Sequence, residues 1–104
     1  MTSDSESKAA WFVYIVQCAN GSFYTGITTD LERRFSEHEA GAPKGAKALR
    51  GKGPLKLVFS YSVNDRSEAS QIEYRVKQLS RTEKLLIVRD GACQLKRILD
   101  LETV

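Results

Sequence analysis

The sequence predicts a small α/β (α+β) fold: a three-stranded mixed or antiparallel sheet flanked by helices. Three observations carry that prediction. The stretch "WFVYIVQC" is β-branched and aromatic, runs into the turn signal "ANGS", and is answered by "SFYTGI", which reads as a hairpin. The stretch "LKLVFSYSV" alternates apolar and polar positions and reads as a third strand. Between and after these strands, Leu31 and Phe35, and then Ala69, Ile72, Val76 and Leu79, recur at helical spacing. The order is hairpin, helix, strand, helix, helix, which places a sheet at the centre with helices covering it. A chain of 104 residues suits one domain.

Taken in order, residues 1–9 are serine-rich and charged and are expected to form a disordered tail. Order begins near Trp11. Asn20 and Gly21 form a tight-turn dipeptide, because both tolerate positive φ, and the turn lays the strand of Tyr14 beside that of Tyr24. Gly26 is expected to close the hairpin. Thr29 can cap the next helix, with Glu32 completing a capping box, and Gly41 ends it. Arg34 and His38 are four residues apart, so they share a helix face beside the Leu31–Phe35 stripe. The glycine- and lysine-rich segment that follows reads as loop. Asp65 or Ser67 can start the next helix, which carries Glu73 at the edge of its apolar stripe. "TEKLLIVRDG" reads as a short helix stopped by Gly91. The expected organisation is a tail over 1–9, a domain over 10–90, and a C-terminal extension over 91–104 that docks as a short helix.

Composition narrows the function classes. Hydrophobic residues make up 41% and charged residues 28%, which suits one modest core. The net charge is only +3, but Gly41 to Lys56 holds Lys44, Lys47, Arg50, Lys52 and Lys56 and no acid. Such a stretch either attracts a phosphate backbone or is a solvated loop. Cys18 and Cys93 have no metal-site spacing and sit among apolar neighbours, so both are expected as buried free thiols. No apolar run is long enough for a membrane span, and the N-terminus lacks a signal-peptide pattern. The expectation is a cytoplasmic protein with no membrane association.

Tyr14 in "VYI", Tyr24 and Gly26 in "YTG", Arg34, the sole histidine His38, and Glu73 in "EYRVKQLSR" form an ordered set whose spacing resembles the GIY-YIG nuclease domain. The similarity is to its small single-domain bacterial YhbQ-like (UPF0213) group. It runs from about Phe12 to Val88. The resemblance implies hydrolysis of DNA by attack of water on phosphorus, with a single divalent ion, magnesium or manganese, and no small-molecule cofactor. It maps catalytic roles onto Tyr14, Tyr24, Arg34, His38 and Glu73, with Glu73 as the metal ligand. The residue types suit that chemistry. Arg34 offers a fixed fork of donors to phosphoryl oxygens. Magnesium commonly takes one carboxylate and completes its shell with water and phosphate. A tyrosine acting as base needs its pKa shifted toward tyrosinate, and Tyr14 is the expected base, with Tyr24 and His38 orienting water and phosphate or assisting proton transfer. The two tyrosines could exchange roles.

Each residue also has a plainer reading. The tyrosines could be half-buried strand residues, Arg33 and Arg34 a solvated face paired with Glu37 or Asp30, His38 a cation near a helix end, and Glu73 the partner of Lys77. The chain also departs from the family pattern. Val13 stands for the first glycine of the motif, Thr25 for the middle residue of the second, and Ile27 follows Gly26 where some relatives carry lysine. The late asparagine of some relatives has no counterpart, since the only asparagines are Asn20 and Asn64. The expected function is a metal-dependent DNA endonuclease, weakly sequence-specific or structure-selective, in repair or recombination. Lys44, Lys47, Arg50 and Lys52 would contact nucleic acid, and a partner protein is an alternative source of specificity. The other reading is a non-catalytic nucleic-acid-binding module or adaptor that keeps the fold.

Overall fold

In a computed structural model the chain is described over residues 10–40, 49 and 52–99. The elements are β1 (Trp11–Gln17), β2 (Phe23–Thr28), α1 (Leu31–Ala40), β3 (Lys56–Val63), α2 (Arg66–Lys77), α3 (Arg81–Asp90) and α4 (Ala92–Leu99). The three strands form one antiparallel sheet in the order β2-β1-β3. The expected tail over 1–9, the helix stop at Gly41, and Lys44, Lys47 and Arg50 lie outside the described residues.

β1 is the central strand, and its sequence explains why. Val13, Tyr14, Ile15 and Val16 are all buried, which only a strand covered on both faces requires. Val13 and Ile15 point to one face, where they pack with Phe59 and Val63 of β3, Ala69, Ile72 and Val76 of α2, Ile87 of α3, and Leu95 and Leu99 of α4. Tyr14 and Val16 point to the other face, by the two-residue alternation of a strand. α4 belongs to the same core, and Arg75 of α2 donates to the Leu99 carbonyl at 2.5 Å.

The hairpin is longer than a two-residue turn. Strand pairing ends at Gln17 and Phe23. The Cys18 amide donates to the Ser22 carbonyl and the Gly21 amide to the Cys18 carbonyl, with Gly21 at φ 90°. This is a three-residue loop whose last residue takes the left-handed conformation. Asn20 is used through its side chain, which accepts from the Ser22 amide at 3.0 Å. Arg81 pins the loop from α3, donating to the Gly21 carbonyl at 2.9 Å.

The helix starts confirm one expectation and correct another. Asp65 caps α2, accepting from the Glu68 amide at 2.8 Å, and Ser80 with Glu83 forms a capping box on α3. Thr29, however, does not cap α1. Asp30 does, accepting from the Arg33 amide at 3.1 Å, because its carboxylate stands at the right remove from the third helical residue. Thr28 in turn accepts from the Asp30 amide. Of the two cysteines only Cys18 is buried. Cys93 is exposed, because α4 turns Leu95 and Leu99 inward and leaves position 93 on its outer face.

Candidate active site

The site grows from one register position. Tyr14 pairs with Gly26 and Val16 with Tyr24, so the two tyrosines lie diagonally on the same face of the sheet. Their ring centroids are 6.4 Å apart. Gly26 does not close the hairpin, as the sequence suggested. It lies within β2, and the Tyr14 ring lies across it. A Cβ at position 26 would come within 2.5 Å of the Tyr14 hydroxyl oxygen and 2.7 Å of Cζ. The absence of a side chain there lets the hydroxyl reach over the neighbouring strand.

α1 brings the other groups. The residue it buries is not Leu31 or Phe35, which are half-buried, but His38, at 2% exposure. His38 Nε2 lies 2.8 Å from the Tyr14 hydroxyl oxygen, in a buried contact. Its ring stands edge-on to Tyr24, at 5.5 Å between centroids. Tyr14, Tyr24 and His38 therefore form a mutually touching aromatic trio. One turn earlier, Arg34 lies within hydrogen-bonding reach of Tyr14 and donates to Glu37 Oε1 at 2.8 Å.

Glu73 lies on α2, on the side of Tyr14. It is close enough to Tyr14 for its charge to act on the hydroxyl. Its side chain is 23% exposed and pairs with Lys77 Nζ at 3.1 Å. Lys52, exposed at the surface, is tied by its carbonyl to the Ala19 amide of the hairpin loop at 3.0 Å. Two of the plainer readings thus hold alongside the assembly: Arg34 does pair with Glu37, and Glu73 does pair with Lys77.

The electrostatics correct one expectation. Burial, followed by the neighbouring Tyr24, pushes the Tyr14 hydroxyl up to about 12, and the opposing pull of Arg34 does not offset them. Tyr14 is therefore neutral at ordinary pH and is not a ready base by itself. His38 is moved the other way. Burial first, and then the Arg34 charge, hold its imidazole below the usual 6.5. The pair joins a hydroxyl that keeps its proton to an imidazole that stays neutral.

Among the described residues no group of three or more His, Cys, Asp or Glu is placed to hold a metal ion. That excludes, for these residues, the multi-ligand cage that zinc or calcium requires. It does not conflict with magnesium. The donor set here is one carboxylate near an arginine and two phenols, which fits an ion that keeps several waters and shares a substrate's phosphate.

Of the candidate residues, Tyr14, Tyr24 and His38 are brought into contact, with Arg34 beside them; the use made of Gly26 was not foreseen. The signal was present in the spacing: with a three-residue loop, position 26 falls opposite position 14.

Comparison with known proteins follows the same outline. The family described as the GIY-YIG catalytic domain matches residues 10–85. The UPF0213 protein YhbQ of Escherichia coli K12 is 53% identical over 93 residues, covering 89% of this chain and 91% of that protein. Among solved structures, the solution NMR structure of EF2693 from E. faecalis is 30% identical, covers 91% of both chains and superposes with a TM-score of 0.54. The UPF0213 protein BH0048 from Bacillus halodurans is 41% identical over 86% of this chain and 96% of its own, with a TM-score of 0.48. No helix among the described residues is long and apolar enough to cross a membrane.

Proposed function

Because the chain belongs to the GIY-YIG catalytic-domain family, we propose that it is a metal-dependent endonuclease hydrolysing DNA phosphodiester bonds, with weak sequence specificity or selectivity for DNA structure. The observation that carries the proposal is the 2.8 Å contact between the Tyr14 hydroxyl and His38 Nε2, over Gly26 and beside Arg34. A core has no need of that set of groups, whereas phosphoryl transfer uses each one.

Displacement at phosphorus spreads negative charge over the phosphoryl oxygens. The Arg34 guanidinium faces that charge with paired donors, and Glu37 holds the guanidinium in place. The attacking water must lose a proton. Tyr14 takes it while passing its own proton to His38, whose Nε2 accepts when the neutral ring carries its proton on Nδ1. The new P–O bond forms as the P–O bond to the leaving strand breaks, the leaving oxygen is protonated from solvent, and His38 returns its proton to solvent. Tyr24, edge-on to His38, holds the ring against Tyr14. Glu73 is the residue that would hold a single magnesium or manganese ion, which when bound supplies charge neutralisation at the phosphoryl and leaving oxygens. Lys52, with Lys44, Lys47 and Arg50, supplies phosphate contacts that carry affinity and no sequence information. A role in repair or recombination, a cytoplasmic location and a specificity-giving partner protein belong to the same reading.

The test is a cleavage assay at low salt on duplex, single-strand, nicked, flap and four-way-junction DNA. Each is run with magnesium, with manganese and with EDTA, beside a folded Glu73→Ala control. Metal-dependent product that vanishes in the control supports the nuclease. No product from the parent protein, with salt-sensitive binding retained, would leave the binding module. That second reading has its own support in the Glu73–Lys77 and Arg34–Glu37 pairs, which a solvated helix surface also forms.

A further inference from the structure

Glu73, the residue that would hold the ion, already holds a cation. Lys77 Nζ lies 3.1 Å from Glu73 Oε2, one helical turn along α2. This is the one ion pair that Glu73 makes among the described residues. Glu73 and Lys77 each follow a buried residue, Ile72 and Val76, so both run along the same edge of the helix's buried stripe. The Glu73 side chain is 23% exposed and that of Lys77 51%, so the carboxylate is the more enclosed partner and the ammonium the freer one. The same carboxylate is near enough to act on the Tyr14 hydroxyl.

The helix itself keeps the ammonium at this carboxylate. Lys77 is the last residue of α2, where the terminal carbonyls favour a cation. Glu73 stands four residues before it, in the order that favours pairing on a helix. An ammonium and a divalent cation compete for the same carboxylate lone pairs, and two cations on one carboxylate repel each other. For an ion to take Oε2, the ammonium has to leave it. A half-exposed lysine on a flexible four-carbon stem can do so by rotating into solvent, with no change in the core.

We infer that Lys77 is the resident counter-ion of Glu73, a positioning residue that balances and orients the carboxylate in the ion-free protein and lowers its affinity for a divalent cation. The inference rests on the reading of Glu73 as the metal ligand and deepens it: the lysine sets the ion concentration at which the carboxylate exchanges an ammonium for a metal.

The test reads metal binding and does not depend on cleavage. Free manganese is followed by electron paramagnetic resonance as manganese chloride is titrated into the full chain, without DNA, at pH 7.5 and low salt. Lys77→Met keeps a helix-forming side chain of similar length and removes the charge. It is expected to bind manganese about threefold to tenfold more tightly than the parent. Lys77→Arg keeps the charge and should stay near the parent's affinity. Glu73→Gln should abolish binding in the parent and Lys77→Met backgrounds alike. Equal or weaker binding by Lys77→Met, or Lys77→Arg behaving like Lys77→Met, overturns the role of Lys77; loss of binding in Glu73→Gln would then leave Glu73 standing as the ligand. Binding that survives Glu73→Gln, or no saturable binding by any form, overturns the metal-ligand reading and the inference with it.

Discussion

Substituting Gly26 by alanine tests the geometry on which the site depends. The methyl group would sit 2.5 Å from the Tyr14 hydroxyl oxygen, 2.7 Å from Cζ and 3.1 Å from Cε2, whereas ordinary contact begins near 3.4 Å. Tyr14 is 3% exposed and stands in the central strand, so the ring has little room to retreat. Overpacking of this kind costs about 1–3 kcal/mol. In a background that lacks the ring the sign reverses. Gly26 does not occupy the left-handed region, so alanine there gains roughly 0.4–1 kcal/mol from the unfolded chain's lost freedom. That gain is common to both backgrounds and cancels in the cycle, so the predicted coupling between Gly26→Ala and Tyr14→Leu is the overpacking cost itself, about 1–3 kcal/mol. It is read by urea unfolding followed by circular dichroism on the parent, both single variants and the double variant. A misplacement of about 1 Å also costs about a hundredfold in rate, so Gly26→Ala should cut cleavage by that factor. Equal effects of Gly26→Ala in both backgrounds would refute the claim that the glycine exists to admit the ring.

Three further expectations concern single groups. Because His38 titrates below 6.5 in the folded chain, its contribution to stability is complete above pH 6.5 and declines as the pH falls through the folded-state value; thermal unfolding at pH 7.5, 6.0 and 5.0 should show this slope, and His38→Leu should remove it. Cleavage should fall over the same acid limb, since an imidazolium cannot accept the Tyr14 proton. Asp30→Ala should cost about 1 kcal/mol and Thr29→Ala almost nothing, measured by chemical unfolding; the reverse order would return the cap to Thr29. A thiol reagent should modify Cys93 promptly in the native protein and Cys18 only on unfolding, and equal rates would contradict the outward placement of position 93.

Much of this molecule was legible before its structure. Periodicity gave the buried stripe of α2, and the alternation of β3 and the apolar run of β1 gave the sheet, because burial dictates those patterns directly. Tyr14, Tyr24, Arg34, His38 and Glu73 were singled out by the resemblance of their order and spacing to the GIY-YIG domain. Four other features were not legible, each for a physical reason. The cap of α1 turned on a one-residue choice between Thr29 and Asp30, which only the helix's exact start decides. Cys93 sits among apolar neighbours in sequence but on the wrong side of a helix. His38 became the buried residue of its helix because Tyr14 reaches it from 24 positions away, and no local pattern encodes that meeting. The raised pKa of Tyr14 likewise follows from enclosure by residues distant in sequence.

The distribution of the site along the chain bears on how such a protein changes over evolutionary time. Tyr14, Tyr24, Arg34 and His38 lie on β1, β2 and α1, a contiguous hairpin and helix, while the single carboxylate comes from α2 in the second half. On the proposed reading, the first unit could go on gripping a phosphate after the second has drifted. On the proposed reading, the shortest path from a cutting enzyme to a protein that merely holds nucleic acid is one substitution at Glu73, which is only part-buried and lies outside the apolar core. The core would impose no penalty on that step, so descendants that keep the fold and the tyrosine–histidine pair are expected to include some that have stopped cutting.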